Sequence, residues 1–196
     1  MPFTIKLKTM KKISELKETK ELFKTERDEN GNKIKVPYEK TVTYNVNVIS
    51  GWARFGHYLI DGVCIYAIAF TLGILLAVVN PDFVLSMNGL EERIYGMLIV
   101  ALYYFVSEVT TQRTIGKLAT SSLVVDEYGN KPSASTILGR SFARIVPFEA
   151  FSCFSERGWH DTWTKTYVVS KAELEKIKRM QQADGVFVSD SADILD

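Results

Sequence analysis

The residues of this chain that could do chemistry are charged groups set inside or beside apolar runs. Arg54, His57 and Asp61 are spaced i, i+3 and i+7, so on a helix they share one face. Asp61 is the only charged residue of its apolar run, and Glu108 is the only one of a second run. Carboxylates in such surroundings lose hydration and need cations or protons nearby.

Candidate cations follow later in the chain. Arg140 and Arg144 are spaced i, i+4, so they share a helix face and would repel each other without a carboxylate between them. A guanidinium suits bidentate pairing with a carboxylate. The spacing therefore predicts that these groups form one polar cluster. We expect it at the cytoplasmic end of two membrane helices formed by the two apolar runs. Its predicted members are Arg54, Asp61, Glu108, Arg140, Arg144 and Asp161. Two interpretations stay open: a site for an ion or proton, or ion pairs that pin the helices together.

The pair His160–Asp161 is the next candidate, since it lies between two tryptophans in "GWHDTW". With two histidines in the chain, a His-rich metal site is excluded, and the chain has no GxSxG for a serine nucleophile. We expect His160 to be a hydrogen-bonding or interfacial residue. Asp161 is expected to cap a short helix over Thr162 to Lys165 or to pair with a buried arginine.

Enzyme chemistry has no other support in the sequence. The Gly-Lys pair in "RTIGK" is not a phosphate-binding loop, because GxxxxGK[ST] is absent. We therefore expect no enzyme, no cofactor and no metal. The net charge of +1 shows no overall excess of basic residues, so we do not expect the chain to bind nucleic acids. Cys64 and Cys153 lie in apolar contexts and are expected to be buried free thiols.

The elements that must position these groups are membrane helices. Tyr58 to Val79 is long enough to cross a bilayer core of about 30 Å, and Ile94 to Val109 is a shorter second span. The loop between them is too short for a domain, so a transmembrane helical hairpin is predicted. Met1 to His57 holds 12 Lys and Arg against 7 Asp and Glu. The positive-inside rule then places the N-terminus in the cytoplasm.

A third apolar segment, "STILGRSFARIVPFEAFSCF", carries two arginines and a proline. A full crossing would bury both arginines at about 2.5–3.5 kcal/mol each, so we expect an amphipathic or re-entrant helix–Pro–helix. Ser122 to Asp126 and Thr166 to Ser170 are predicted strands. They can pair only if both lie on one side of the membrane, which a re-entrant segment allows.

The chain is predicted to have three parts. Residues 1–50 are a polar, cytoplasmic N-terminal extension, residues 51–170 are the membrane domain, and residues 171–196 are a cytoplasmic helix with an acidic tail. Ser14 to Thr25 is predicted as a short polar helix, followed by a turn at "RDENGNK" and an extended stretch from Ile34 to Val48. Lys171 to Gln182 is predicted as a polar helix. The acidic tail from Ala183 is expected to lack fixed structure. The N-terminus has no apolar core, so no cleavable signal peptide is expected.

The segments "ARFGHYLIDG", "SEVTTQRTIGKLATSSLVVDEYGNKPS", "LGRSFARIVPFEAF" and "RGWHDTWTKTYVV" together resemble the RDD family of small bacterial membrane proteins. The likeness covers roughly Gly51 to Ser170. The arginine and two aspartates that name the family would fall on Arg54, Asp61 and Asp161. Gly116, Lys117 and Arg140 also match, and His57 and His160 are supporting candidates. This chain is shorter than many members before "GWHD", which favours the re-entrant segment over a further span.

The resemblance implies an α-helical integral membrane protein of the bacterial inner membrane, multi-pass, with short cytoplasmic β-strands. It also implies a suspected part in transport, with ion exchange proposed. Two hypotheses remain: a component of cation- or proton-coupled transport, or a membrane scaffold or accessory subunit. Expected partners are the lipid bilayer and either further copies of this chain or a membrane partner protein.

Overall fold

The computed structural model describes residues 10–27, 32–155 and 157–190. The chain divides into two compact units, one made of residues 1–46 and 176–196, the other of residues 47–175. The regular elements, in chain order, are β1 (Lys17–Arg27), β2 (Lys33–Thr43), α1 (Gly51–Val79), α2 (Pro81–Ser86), α3 (Gly89–Thr111), α4 (Ile115–Ala119), β3 (Ser122–Val125), α5 (Ala134–Ala143), α6 (Trp159–Trp163), β4 (Tyr167–Ser170) and α7 (Lys171–Asp190).

The first unit is built around a two-stranded antiparallel hairpin. β1 and β2 pair over their full length, from Lys17 opposite Thr43 to Arg27 opposite Lys33. The predicted helix over Ser14 to Thr25 is therefore wrong. A polar helix of that length is marginal alone, whereas pairing satisfies the backbone along the ladder. The middle of the predicted turn, residues 28–31, lies outside the described residues.

A small apolar core accompanies this hairpin. Ile13, Leu16 and Ile177 are fully buried, and Tyr44 is nearly so. The Lys176 ammonium lies over the Tyr44 ring at 4.6 Å and donates to Glu18 at 2.9 Å. α7 begins at Lys171 as predicted but continues to Asp190, beyond the predicted end at Gln182. An isolated hairpin is marginal in water, so these contacts supply the packing that it needs.

The second unit contains two long apolar helices, α1 and α3. The Ser50 hydroxyl accepts a hydrogen bond from the Ala53 amide at the start of α1. Asn88 and Glu91 form a capping box at the start of α3. Both helices are long and apolar enough to cross a membrane by length and composition. The most apolar stretch of α1 has none of its residues buried in the protein, so a bilayer is the medium that such a surface requires.

The segment between the two long helices follows from local chemistry. α1 ends at Val79, because Asn80 and Pro81 break the helix. The Asn80 side chain accepts from the Phe83 amide and caps α2, whose first residue is Pro81. The Phe83 and Tyr95 rings meet edge to face, with centroids 6.2 Å apart. The N-terminal half of α1 meets the C-terminal half of α3, where the Tyr103 hydroxyl reaches Asp61.

The remaining elements pack at that end of the long helices. β3 and β4 pair antiparallel, from Ser122 opposite Ser170 to Val125 opposite Tyr167, as predicted. Their central residues Leu123, Val124 and Val169 are buried. The segment after β3 forms helices on both sides of Pro147, namely α5 and a 3₁₀ turn over Glu149–Phe154, so its predicted helix–Pro–helix form is confirmed.

Of the two alternatives predicted for Asp161, the helix cap is wrong, whereas a buried arginine, Arg140, does pair with it. Asp161 does not cap a helix over Thr162 to Lys165, since α6 already begins at Trp159. Gly158 is the residue before that helix, and its carbonyl accepts from the Asp161 and Thr162 amides. A side chain at Gly158 would place its Cβ 2.9 Å from the His160 ring. The missing side chain therefore lets the chain turn tightly into α6 and directs Asp161 inward.

Candidate functional site

Glu108, near the C-terminal end of α3, is the centre of a buried ion-pair network. Its side chain has no exposed surface. The Lys117 ammonium contacts Oε1, Arg140 Nε donates to Oε2 at 2.9 Å, and Arg144 Nη2 lies 3.6 Å from Oε1. Three cations from α4, α5 and the residue after α5 thus converge on one carboxylate. A buried charge is tolerated when it is paired in this way.

Arg140 extends the network to α6. Its Nη1 donates to Asp161 Oδ1 at 2.5 Å and also contacts the Thr166 hydroxyl. Arg140 is fully buried, so its guanidinium pairs with both carboxylates away from water. Its Nη2 has no hydrogen-bond partner among the described residues. We call Glu108, Lys117, Arg140, Arg144 and Asp161 the ion-pair network. It joins α3, α4, α5 and α6.

Asp61 is also buried but is held differently. Oδ1 accepts from the Tyr103 hydroxyl at 2.8 Å and from the Gly116 amide at 2.8 Å. Oδ2 accepts from the Thr114 hydroxyl at 2.7 Å. Among the residues that the structure describes, Asp61 forms no ion pair. We call Asp61, Tyr103, Thr114 and Gly116 the Asp61 site.

Gly116 is needed at this point for a steric reason. A Cβ there would lie 2.5 Å from the His57 carbonyl oxygen and 2.8 Å from the His57 Cα. Only glycine lets the backbone of α4 approach α1 closely enough for its amide to reach Asp61. Thr114 caps α4 through the Lys117 amide while it donates to Asp61. The short helix α4 and its capping residue therefore provide two hydrogen-bond donors to Asp61, the Thr114 hydroxyl and the Gly116 amide. The same helix provides the Lys117 ammonium that pairs with Glu108.

Arg54 and His57 lie on the same face of α1 as Asp61 and are buried. Arg54 Nη1 donates to the Ser155 carbonyl at 3.2 Å. His57 Nε2 lies 2.6 Å from the Thr120 hydroxyl. Neither contact is with a carboxylate, so Arg54 is not brought into the ion-pair network by the contacts of these atoms.

A second chain of contacts runs through His160. Its Nδ1 contacts Glu149 Oε1, and its Nε2 lies 3.1 Å from Arg144 Nη2. Burial lowers the pKa of His160, and the nearby Arg144 lowers it further. A neutral ring fits both contacts when Nδ1 carries the proton and donates to Glu149, while Nε2 accepts from Arg144. The Arg144 guanidinium also lies over the Tyr104 ring, 4.0 Å from its centroid.

A cavity of about 40 Å³ lies among these groups. Its lining includes members of the ion-pair network, the Asp61 site and the Glu149–His160 pair; the charged and imidazole groups are Arg54, His57, Asp61, Lys117, Arg144, Glu149, His160 and Asp161. The volume suits about three water molecules. Asp161 Oδ2 is buried and has no hydrogen-bond partner among the described residues. The cavity is thus small and is bounded by charged groups of both signs.

Burial and pairing perturb the groups around the cavity. Burial lowers the pKa of Lys117 to about 8, although the Glu108 carboxylate opposes that change. Burial disfavours the charged Asp161 carboxylate, but the ion pair with Arg140 outweighs that cost and holds the pKa of Asp161 below its usual range. Lys117 is therefore the ammonium of this cluster that can lose its proton closest to neutral pH.

The structure brings four of the six predicted cluster residues into one network: Glu108, Arg140, Arg144 and Asp161. Asp61 and Arg54 line the same cavity; Asp61 accepts from the Thr114 hydroxyl, and Arg54 Nη1 donates to the Ser155 carbonyl. Lys117, predicted only as a supporting residue, is a full member of the network.

The sequence reasoning missed Tyr103, Tyr104, Thr114, Glu149 and Thr166 as site residues. A signal existed for Glu149, a carboxylate in the apolar "IVPFEAF", by the criterion that identified Arg140. The hydroxyl groups carry no comparable signal. Within residues 10–27, 32–155 and 157–190, no group of three or more His, Cys, Asp and Glu is arranged to hold a metal ion.

Comparison with known proteins supports the family assignment. The profile of the RDD family matches residues 49–172, more than half of the chain. The chain is similar to the uncharacterized protein YxaI of Bacillus subtilis (strain 168), with 27% identity over 147 residues that cover 61% of this chain and 95% of that relative. No solved structure matches the chain.

Proposed function

The chain belongs to the RDD family of membrane proteins, and we propose that it takes part in cation- or proton-coupled transport across the bacterial inner membrane. The observation that carries the proposal is the cavity bounded by buried charges of both signs at one end of two membrane-type helices. Intramembrane ionisable groups commonly mark ion paths.

We place α1 and α3 across the membrane as a helical hairpin with the N-terminus in the cytoplasm. The excess of Lys and Arg before α1 supports that orientation. The pairing of β3 with β4 supports a position for both strands on the cytoplasmic side, with the segment from α5 to α6 re-entrant or interfacial between them.

The topology is tested by labelling single cysteines in intact cells with a membrane-impermeant thiol reagent, in a background where Cys64 and Cys153 are serine. A cysteine at position 86 should react from outside, and cysteines at positions 130 and 189 only after the membrane is opened. Labelling of position 189 from outside would mean a third crossing and would contradict this arrangement.

In the proposed exchange, Lys117 carries the proton and Asp61 attracts the cation. Lys117 has a pKa of about 8 and lines the cavity together with Asp61. When Lys117 releases its proton, the cluster loses one positive charge, and a monovalent cation beside the Asp61 carboxylate restores the balance. Asp161 completes the cytoplasmic site, while Arg54 and Arg140 tune its charge. Two helices cannot enclose a path, so the proposal requires an oligomer or a membrane partner protein.

The test is cation-driven proton movement in proteoliposomes that contain the purified chain. Asp61→Asn should abolish flux, and Lys117→Met should abolish its pH dependence near pH 8. Asp82→Asn is the matched control, because Asp82 lies in α2, away from the cavity lining. If Asp61→Asn conducts like the parent, the proposed site is wrong. If the protein is monomeric in native-like membranes, the path itself is lost.

The alternative is a membrane scaffold or accessory subunit, and one observation favours it. Glu108 and Asp161 already have fixed partners, as purely structural ion pairs would. In addition, the β1–β2 hairpin exposes Phe23, Ile34 and Tyr38, which a partner could cover. Absence of flux from the parent protein across pH and monovalent cations would support this alternative over transport.

A further inference from the structure

A groove of about 680 Å³ runs between α1 and α3 and adjoins the charged cavity, since Tyr58, Arg144 and Glu149 line both. Tyr58 and Tyr104 line one end, and Ala69 and Arg93 line the other. Most of its wall is aliphatic. Its size falls within the range of small-molecule and lipid-chain sites, which are concave and largely apolar with a few polar groups.

Two glycines contribute to the depth of this groove. Gly62 of α1 and Gly96 of α3 both line it, and a Cβ at either position would meet no atom within 4 Å. The lining residues of each helix span 11 residue steps, which is about 17 Å along a helix axis. That length is about half of a bilayer core of about 30 Å. It matches the reach of one acyl chain in one leaflet and is too short to seat a complete transmembrane helix.

Three charged residues line the groove, Arg93, Arg144 and Glu149. Arg144 contacts Glu108 and His160, and Glu149 contacts His160, so both already have partners in the protein. Arg93 is exposed, and it forms no ion pair or hydrogen bond through its side chain within the described part of the chain.

α1 continues past the level of Ala69 for ten residues, Phe70 to Val79, without a charge. The nearby Glu91 is engaged at the start of α3, where it accepts from the Asn88 amide. An anion would stabilise a guanidinium beside such apolar surface, and the described residues supply none to it.

We propose that this groove binds one acyl chain of an anionic phospholipid, whose phosphate pairs with the unpartnered guanidinium of Arg93. Guanidinium and phosphate form paired, charge-assisted hydrogen bonds, which suits this end of the groove. The site requires that α1 and α3 lie in a bilayer, but it does not depend on transport. The lipid would fill the space over Gly62 and Gly96.

The test compares two phospholipids with the same acyl chains, phosphatidylglycerol and phosphatidylcholine, as they bind to the full-length chain in detergent. Native mass spectrometry or the shift in unfolding temperature on titration reports the affinity. Both lipids carry a phosphate, but the trimethylammonium of phosphatidylcholine offsets the phosphate charge and lies close to the Arg93 guanidinium. We therefore expect phosphatidylglycerol to bind about tenfold more tightly. Arg93→Gln should abolish that preference, and Arg93→Lys should restore part of it. Gly96→Leu should weaken both lipids, because its side chain fills the groove.

Arg113→Gln is the matched control, since Arg113 follows α3 and does not line the groove. It should keep the tenfold preference. Equal binding of both lipids by the parent, or the same preference in Arg93→Gln as in the parent, would overturn the proposal. A Gly96→Cys variant supplies a further check in native membranes. An efficient disulfide between two copies at this position would show that a second copy covers the groove, which also overturns it.

Discussion

Glu108 and Asp61 are both buried carboxylates at the same end of the long helices, and the protein satisfies them in opposite ways. Glu108 is surrounded by three cations, Lys117, Arg140 and Arg144. Asp61 accepts three hydrogen bonds from neutral donors. The ion-pair network has three cations and two carboxylates, so the negative charge of Asp61 offsets its excess across the cavity.

This difference predicts different sensitivities. The ion-pair network should tolerate small changes of shape but not the loss of a charge, because a buried charge without a partner costs several kcal/mol. The Asp61 site should tolerate distant charge changes but not a change in backbone approach or in donor number, because its donors depend on close contact.

The largest effect is expected from Arg140→Met, which keeps much of the side-chain volume and removes the charge between Glu108 and Asp161. We expect the free energy of unfolding to fall by about 3–5 kcal/mol, measured by denaturant unfolding in detergent micelles. Arg113→Met is the control, since Arg113 forms no ion pair among the described residues, and it should change stability little. Adding Glu108→Gln to Arg140→Met should recover part of the loss. If Arg140→Met alone is as stable as the parent, the ion pairs of Arg140 contribute nothing to the free energy of unfolding.

The next largest effect tests the Asp61 site by shape alone. Gly116→Ala leaves every charge in place but sets a Cβ 2.5 Å from the His57 carbonyl oxygen, so α4 must move away from α1. We expect a loss of about 1–3 kcal/mol from overpacking and the weakened Gly116–Asp61 hydrogen bond. Gly62→Ala is the matched control, because its Cβ meets no atom within 4 Å. It should be neutral or slightly stabilising in thermal unfolding, and equal losses in both variants would contradict the close-approach argument.

The residues of the ion-pair network were easier to predict from the sequence than the neutral donors of the Asp61 site. Glu108 and Asp61 were identifiable because each is the only charge in an apolar run, and Arg140 because its burial demands an anion. Tyr103 and Thr114 could not be identified from the sequence. A hydroxyl group is tolerated both in water and in a membrane helix, so its presence in an apolar run does not indicate a partner. Gly116 was indicated by the family resemblance, whereas its physical reason is the distance to His57, which only the packing reveals.

The N-terminal hairpin shows a further limit of prediction from sequence. β1 contains Lys, Glu and Leu, which are good helix formers, and its partner strand lies beyond an intervening turn. Local preference therefore indicated a helix, and the ladder with β2 overrode it. The pairing of β3 with β4 was predictable because both are short apolar runs that need a partner.

A change of pH should act on the ion-pair network through Lys117. Its pKa in the folded protein is about 8, below the ordinary value of 10.5. Between these values the unfolded chain binds more protons, so stability rises by about 1.4 kcal/mol per pH unit from pH 8 to 10.5. Below pH 8 both states carry the proton, and this contribution no longer changes with pH. Lys117→Met should lack this contribution. The check is the difference in unfolding free energy between parent and variant from pH 8 to 10.5; a constant difference would mean that Lys117 keeps its proton.

The smallest effect isolates one neutral donor. Tyr103→Phe removes the hydroxyl that donates to Asp61 at 2.8 Å, and two donors remain, so we expect a loss of about 1 kcal/mol. Tyr104→Phe is a closely matched control, because the neighbouring ring keeps its position under the Arg144 guanidinium without the hydroxyl. It should cost less than Tyr103→Phe in chemical unfolding. If Tyr104→Phe lowers the free energy of unfolding more than Tyr103→Phe does, the Tyr104 hydroxyl contributes more to stability. The proposed contribution of the Tyr103–Asp61 hydrogen bond is then refuted.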